Sequence, residues 1–291
     1  MAQNVVIVGA PRSGTNMLRD VLTSARGIAT WPCDEINPIW RHGNLDLDHD
    51  EIPAEGATPA VASFLQGRFA AIARKYDADI VVEKTCATSL RVPFVAAAIP
   101  DAKFVFIRRD GIDAAASTMK RWNAEFDWEY TLRKVRWVPR TDLPRHLGSF
   151  VRKKVVQRRA GEAGSDANDL LVSTWWGPRP HDYRTLQARH PLEEVAFIQW
   201  QRCIEQSADA LSRLDPSRVI DVAYEEYVAD PRGGTARILD FLGCPDRLES
   251  ATVGAVLTDS VGKGRAQLGP DAVARLESLG GRALERFGYA R

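Results

Sequence analysis

A chain of 291 residues with 45% hydrophobic and 26% charged residues can bury the core of one large α/β domain. Its net charge of +1 creates no overall field toward nucleic acid or membrane. Cys33, Cys86, Cys203 and Cys244 form no CxxC pair and have no histidine cluster beside them, which argues against a zinc site or a disulfide framework and for buried, reduced thiols. The opening MAQNVVIVGAPRSG lacks the basic segment and long apolar run of a signal peptide. No stretch reaches the ~18 apolar residues of a membrane span, so a cytoplasmic protein is the expectation.

Asn4 to Gly9 is a short, β-branched apolar run, the pattern of a parallel strand buried on both faces. A turn from Ala10 to Gly14 follows, and then Met17, Leu18, Val21 and Leu22 recur at helical spacing. The unit repeats more loosely: a strand at Asp79–Val82 with a helix at Val92–Ile99, and a strand at Lys103–Ile107 with a helix at Ile112–Lys120. A later strand is expected at Val219–Val222, with a helix opened by Pro231 and closed by Gly243. Helical periodicity also marks Leu192 to Leu214 and Pro270 to Tyr289, the latter broken near Gly280-Gly281. The alternation predicts an α/β fold, a P-loop-like parallel sheet flanked by helices, as a single domain over residues 1–291. Between Trp122 and Pro191 the rhythm fails, and about 122–191 reads as a basic, partly helical insertion laid over one end of the sheet.

The first chemical motif is Gly9-Ala10-Pro11-Arg12-Ser13-Gly14-Thr15-Asn16. A strand that enters a helix through a glycine-bounded turn aims backbone N–H groups at one point, an anion site. Arg12 adds a forked cation, and Ser13 and Thr15 add hydroxyls. The pattern approaches the Walker loop, but Thr15 stands where that loop carries its lysine. The second motif ends a strand with Arg108-Arg109-Asp110 and places Ser117 on the following helix. An arginine at a strand end and a serine on the adjoining helix can hold one phosphate between them.

Pro11-Arg12-Ser13-Gly14-Thr15 resembles the 5′-phosphosulfate-binding loop of the PAPS-dependent sulfotransferases (PAPS is 3′-phosphoadenosine 5′-phosphosulfate), of a bacterial, carbohydrate or tyrosylprotein type. Arg109 and Ser117, eight positions apart, match the 3′-phosphate signature of that family, with Arg108 the other register. Tyr224-Glu225-Glu226-Tyr227, Asp230-Pro231 and Ile238 to Gly243 resemble its "YEDL…DP…I..FLG" block. Gly262-Lys263-Gly264-Arg265 falls where the family carries a glycine-rich basic loop over the 3′-phosphate, although Gly264 replaces a common tryptophan. The resemblance therefore implies a sulfuryl transfer from PAPS to a hydroxyl or amine, leaving adenosine 3′,5′-bisphosphate. Pro11 to Asn16, Arg109, Ser117, Lys263, Gly264 and Arg265 would contact the nucleotide, with no metal.

Such a transfer needs a base for the acceptor proton. The resemblance places it in Trp31 to Pro38, with Glu35 first and Asp34 next, and His42, just beyond that stretch, last. It also gives Lys84, in Glu83-Lys84-Thr85, a part in positioning the acceptor or the transferred group. Ten Lys or Arg fall between Thr131 and Ala160 against one acid, Asp142, with Trp122, Trp128, Trp137, Trp175 and Trp176 in or beside them. Cations with indoles suit an acidic carbohydrate or another small acidic acceptor, and equally a solvated helix face. Two other classes stay open: a small-molecule or nucleotide kinase on the same scaffold, and a non-catalytic anion- or RNA-binding module. The balanced overall charge makes nucleic acid the less expected partner.

Overall fold

The computed structural model describes residues 2–122, 139, 142, 175–254 and 260–290. Most of the basic insertion, including Trp128 and Trp137, lies outside them. Five strands form one parallel sheet in the order β2-β3-β1-β4-β5: β1 Gln3–Val8, β2 Ile28–Ala29, β3 Ile80–Lys84, β4 Lys103–Arg108 and β5 Val219–Ala223. The central β1 pairs with β3 from Gln3↔Ile80 to Ile7↔Lys84, and with β4 from Val5↔Lys103 to Val8↔Phe106.

The strands are continuously apolar because helices cover both faces. Val5, Ile7, Val82, Val105 and Ile107 face one way, onto α1 (Thr15–Ser24), α8 (Tyr224–Ala229) and α9 (Pro231–Leu242). Val6, Val8, Val81, Phe104 and Phe106 face the other way. They meet α3 (Pro59–Tyr76), α4 (Val92–Ala98), α5 (Gly111–Trp122), α7 (Leu192–Leu211) and α11 (Pro270–Arg286). The alternation of adjacent residues between two cores is the period-2 geometry of a strand.

Shorter helices are α2 (Asn37–Trp40), α6 (Tyr183–Arg189) and α10 (Lys263–Leu268). The predicted strands and their partner helices are present, and α11 kinks at Gly280 as its glycine pair implies. Additional elements include β2 and the 18-residue α3. Thr58 caps α3 by accepting from the Val61 N–H, and Val61, Leu65, Phe69 and Ile72 bury one stripe of it. The expected basic loop at residues 262–265 is a helix start, because Asp113 binds the N–H groups of Gly262 and Gly264. No helix among the described residues is long and apolar enough to cross a membrane.

The C-terminal ends of β3, β1 and β4 open on one edge of the sheet. Between β1 and its two neighbours the chain winds away in opposite directions, the place where open α/β sheets hold ligands.

Candidate active site

A cleft of about 1340 Å³ opens at this edge. Pro11, Arg12, Gly14, Thr15 and Asn16 form part of its wall. Gly9 is required by close packing, since a Cβ there would sit 2.6 Å from the Ile107 carbonyl oxygen. Gly14 holds φ at 87°, and a Cβ there would press within 2.6 Å of the Tyr224 ring. Arg12 also adopts left-handed backbone, φ 66°, which an L-residue takes at roughly 1–2 kcal/mol. Its carbonyl is held by Arg109 Nη1 at 2.9 Å.

The N-terminus of α1 has no side-chain cap and no acid in its first turn. Its leading N–H groups therefore face the cleft with the positive end of the helix dipole. Burial, and then the nearby Arg109, lowers the pKa of Arg12 from its ordinary value. Its Nε donates to Ser117 Oγ at 3.0 Å. Thr15 does not substitute for a Walker lysine: its buried hydroxyl lies 3.7 Å from Cys86 Sγ. Ser13 is fully buried, and its Oγ has no hydrogen-bond partner.

Arg109 and Ser117 both line the cleft, and Arg108 lies on a separate, smaller cavity. Arg108 pairs with Asp221 at 2.8 Å and donates to the Phe287 carbonyl. Arg109 is more constrained than an exposed phosphate ligand. Nη1 holds Arg12, Nη2 donates to the Ser260 carbonyl at 2.7 Å, and the guanidinium lies 4.4 Å over the Tyr224 ring. Its Nε is buried with no hydrogen-bond partner. The Trp200 indole fixes the strand end by donating to the Arg109 carbonyl at 3.0 Å.

Lys263 and Gly264 complete this end of the cleft. Gly264 is packed so tightly on α5 that a Cβ would lie 2.6 Å from the Asp113 Cα. Arg265 points elsewhere: it pairs with Glu277 at 2.5 Å and is not among the described residues lining the cleft.

Glu35 and Lys84 meet at the other end. Lys84 Nζ donates to Glu35 Oε1 at 3.1 Å, and the Cys86 N–H reaches the same oxygen at 3.3 Å. Lys84 is almost wholly buried, and Glu35 is 23% exposed. Burial alone depresses an ammonium, yet the charge of the Glu35 carboxylate and its hydrogen bond raise Lys84 above its ordinary pKa. Burial, then Glu35, pushes the Cys86 thiol up to about 12, so it stands there as a neutral thiol. Asp34 lines the cleft but pairs with Arg19 at 3.5 Å. His42 binds Asp142 at 2.9 Å and stacks on Phe64, and it is not among the described cleft residues. The expectation of four buried thiols needs correction at Cys33 and Cys86, which are half-buried, because Cys86 faces the cleft.

Trp175, Trp176, Gly177 and Pro178 form a further wall near Lys120 and Arg121. Trp175 stacks edge-on against Trp122 and donates its indole N–H to the Pro178 carbonyl. Gln199, 1% exposed, donates to the carbonyls of Trp176 and Pro178. Tyr224, Asp113 and Gln199 shape the site without being expected from sequence. Tyr224 belonged to a recognised block, but Asp113 and Gln199 act across 149 and 23 residues, beyond any local pattern.

The chain belongs to the sulfotransferase family, which it matches over residues 4–150 and 173–248. Its structure resembles the sulfotransferase domain from the curacin biosynthetic pathway, at 13% identity and TM-score 0.53, over 96% of this chain and 97% of that one. It also resembles a sulfotransferase from Alicyclobacillus acidocaldarius, at 18% identity and TM-score 0.50, over 98% and 94%. A third likeness is to sulfotransferase STF9 from Mycobacterium avium, at 13% identity and TM-score 0.51, over 100% and 79%. At these identities the likenesses show a common fold. No curated protein matches the chain.

Proposed function

We propose that the chain transfers the sulfuryl group of PAPS to a hydroxyl or amine of a small acceptor. The observation that carries this reading is one cleft with two chemically distinct ends. The uncapped α1 N-terminus with Arg12, Arg109, Ser117 and Lys263 occupies one, and the Glu35–Lys84 pair occupies the other.

The residues fit such a nucleotide. Pro11 to Asn16 and the first turn of α1 would hold the 5′-phosphosulfate, with Arg12 beside it. Ser117, Lys263, Gly264 and the buried, unpartnered Nε of Arg109 would hold the 3′-phosphate. When bound, PAPS supplies an activated sulfuryl group on a good leaving group. The protein's task is then positioning and charge stabilisation. Arg12 and the α1 dipole oppose the negative charge that grows on the departing phosphate. Lys84 and the Cys86 N–H fix one oxygen of Glu35, and Glu35 takes the acceptor proton. Trp175 and Trp176, with Lys120 and Arg121, support an acceptor that is ring-shaped and acidic, such as a carbohydrate. The kinase reading loses ground because Thr15, at the Walker lysine position, is buried against Cys86.

Titration calorimetry tests the reading. Adenosine 3′,5′-bisphosphate should bind about ten- to a hundredfold more tightly than AMP, the worth of one charge-assisted phosphate contact. Affinity should not change with EDTA. Equal affinity for the two nucleotides would remove the 3′-phosphate assignment.

A further inference from the structure

Glu83 and Lys84 end β3 and Thr85 follows them in extended backbone, so the three side chains alternate. Lys84 turns to the cleft and meets Glu35. Glu83 and Thr85 turn the other way, into the interior, where Glu83 is 1% exposed and Thr85 is fully buried. A carboxylate is rarely buried to this degree without a partner. Its partner is Thr85, whose hydroxyl donates to Glu83 Oε1 at 2.5 Å. A hydroxyl has one proton, so once Thr85 donates it to Glu83, its oxygen can only accept. It accepts the backbone N–H of Ile36 at 3.1 Å. The chain of bonds has one direction: Ile36 N–H to Thr85, and Thr85 to Glu83. Hydrogen bonds in such a chain polarise one another and strengthen.

Ile36 is the residue after Glu35. The next residue, Asn37, is also held, by Arg91 Nη2 at 2.6 Å on its side-chain oxygen and by Asp50 at 3.2 Å on its amide nitrogen. Arg91 is fully buried, and Asp50 is 5% exposed. The segment that presents Glu35 is therefore held at two consecutive residues, Ile36 by Thr85 just past β3 and Asn37 by Arg91 and Asp50. Its carboxylate falls on the cleft side, against the strand's other set of groups.

We propose that Thr85 and Glu83 are positioning residues, which hold the backbone of Ile36 so that the Glu35 carboxylate meets Lys84 and the Cys86 N–H. The inference rests on the proposed role of Glu35, but its physical content is the placement of that carboxylate.

The test reads Lys84, whose titration reports the nearby carboxylate, and it needs no acceptor. The full chain is labelled with ¹³C-lysine, and the Lys84 signal is assigned by its loss in Lys84→Arg. Thr85→Val should lower the Lys84 midpoint by about one unit as Glu35 moves away. Thr85→Ser, which keeps the hydroxyl, should restore it. Calorimetry with adenosine 3′,5′-bisphosphate should give affinities within about twofold for all three proteins. A Lys84 midpoint unchanged in folded Thr85→Val overturns the proposal. If Thr85→Val does not fold, the wild-type chain still decides. Exchange of the Ile36 amide should be slowed at least about a thousandfold in wild type, and exchange at the unprotected rate overturns the proposal. A wild type that binds no nucleotide but shows both signatures would sink the function proposed above and leave this arrangement standing.

Discussion

The two ends of the cleft are built from different materials. Around Arg12 the backbone dominates: Gly9 and Gly14 admit close approach, α1 presents its N–H groups, and Arg109 grips two carbonyl oxygens. Around Glu35 side chains dominate, drawn from segments 49 residues apart and tied by a half-buried ion pair. A backbone site tolerates little change in shape, because its geometry is set by φ/ψ and packing. A side-chain site depends on charge and on which groups are ionised. Substitutions should therefore separate the ends: changes at one should alter nucleotide affinity, and changes at the other should alter turnover.

The sharpest separation comes from Glu35→Gln. Glutamine keeps the size and can accept from Lys84 and the Cys86 N–H, but it cannot take a proton at neutral pH. Turnover with PAPS should fall about 10²–10⁴-fold, with adenosine 3′,5′-bisphosphate affinity unchanged. Near-normal turnover would discard Glu35 and send the search to Asp34, which lines the same cleft. His42 comes after it, since it is committed to Asp142.

The buried acid behind Glu35 gives a pH signature. Burial raises the Glu83 carboxyl from 4.5 to about 7, against the smaller opposing effect of the Thr85 hydroxyl. Between these values the native chain keeps a proton that the unfolded chain has lost. Stability therefore declines as pH rises through this window. A shift of about 2.5 units corresponds to roughly 3 kcal/mol at most. Glu83→Gln removes the titration, so its stability relative to wild type should improve from pH 5 to pH 8 in urea unfolding. Parallel curves for the two proteins would show that Glu83 titrates normally.

Arg109→Ala probes the backbone-built end. It removes two hydrogen bonds to carbonyls and the cation over Tyr224. Nucleotide affinity should fall by about one to two decades. Arg108→Ala should leave that affinity within about twofold, because Arg108 faces the smaller cavity and Asp221. The opposite result would move the assignment by one residue.

The same contrast explains what could be read in advance. The sheet and the loop at Gly9–Thr15 are legible because apolar runs, glycines and hydroxyls act locally. The cleft places Arg12, Glu35, Lys84, Arg109 and Ser117 on one surface, but Glu35 and Lys84 entered only through resemblance. No spacing rule links two residues whose contact depends on the whole sheet. Thr85 and Glu83 were hidden for the same reason. Helix α3 was different: Thr58-Pro59 followed by Val61, Leu65, Phe69 and Ile72 is a cap and a stripe, and its signal was present. Between Trp122 and Trp175 the comparison cannot be made, since nearly all of that stretch lies outside the described residues.

The smallest predicted difference lies within one turn of helix, between Lys263 and Arg265. Both are cations beside the glycines of a segment expected to cover the nucleotide. Asp113 decides which of them faces the cleft. By accepting from the Gly262 and Gly264 N–H groups, both at 2.6 Å, it fixes the start of α10 against α5. Residues two apart on a helix project about 200° from one another, so they cannot share a face. Lys263 takes the cleft. Arg265 takes the opposite side and pairs with Glu277 on α11. Lys263→Ala should then weaken adenosine 3′,5′-bisphosphate binding by about three- to tenfold, with a shallower dependence on salt, as expected for one partly solvated phosphate contact. Arg265→Ala should leave affinity within about twofold and lower stability by about 1 kcal/mol or less, because its ion pair is partly exposed. If Arg265→Ala weakens the nucleotide more than Lys263→Ala does, the bound state must rotate α10 away from Asp113. Asp113→Asn, which loosens that anchor, should then strengthen binding instead of weakening it.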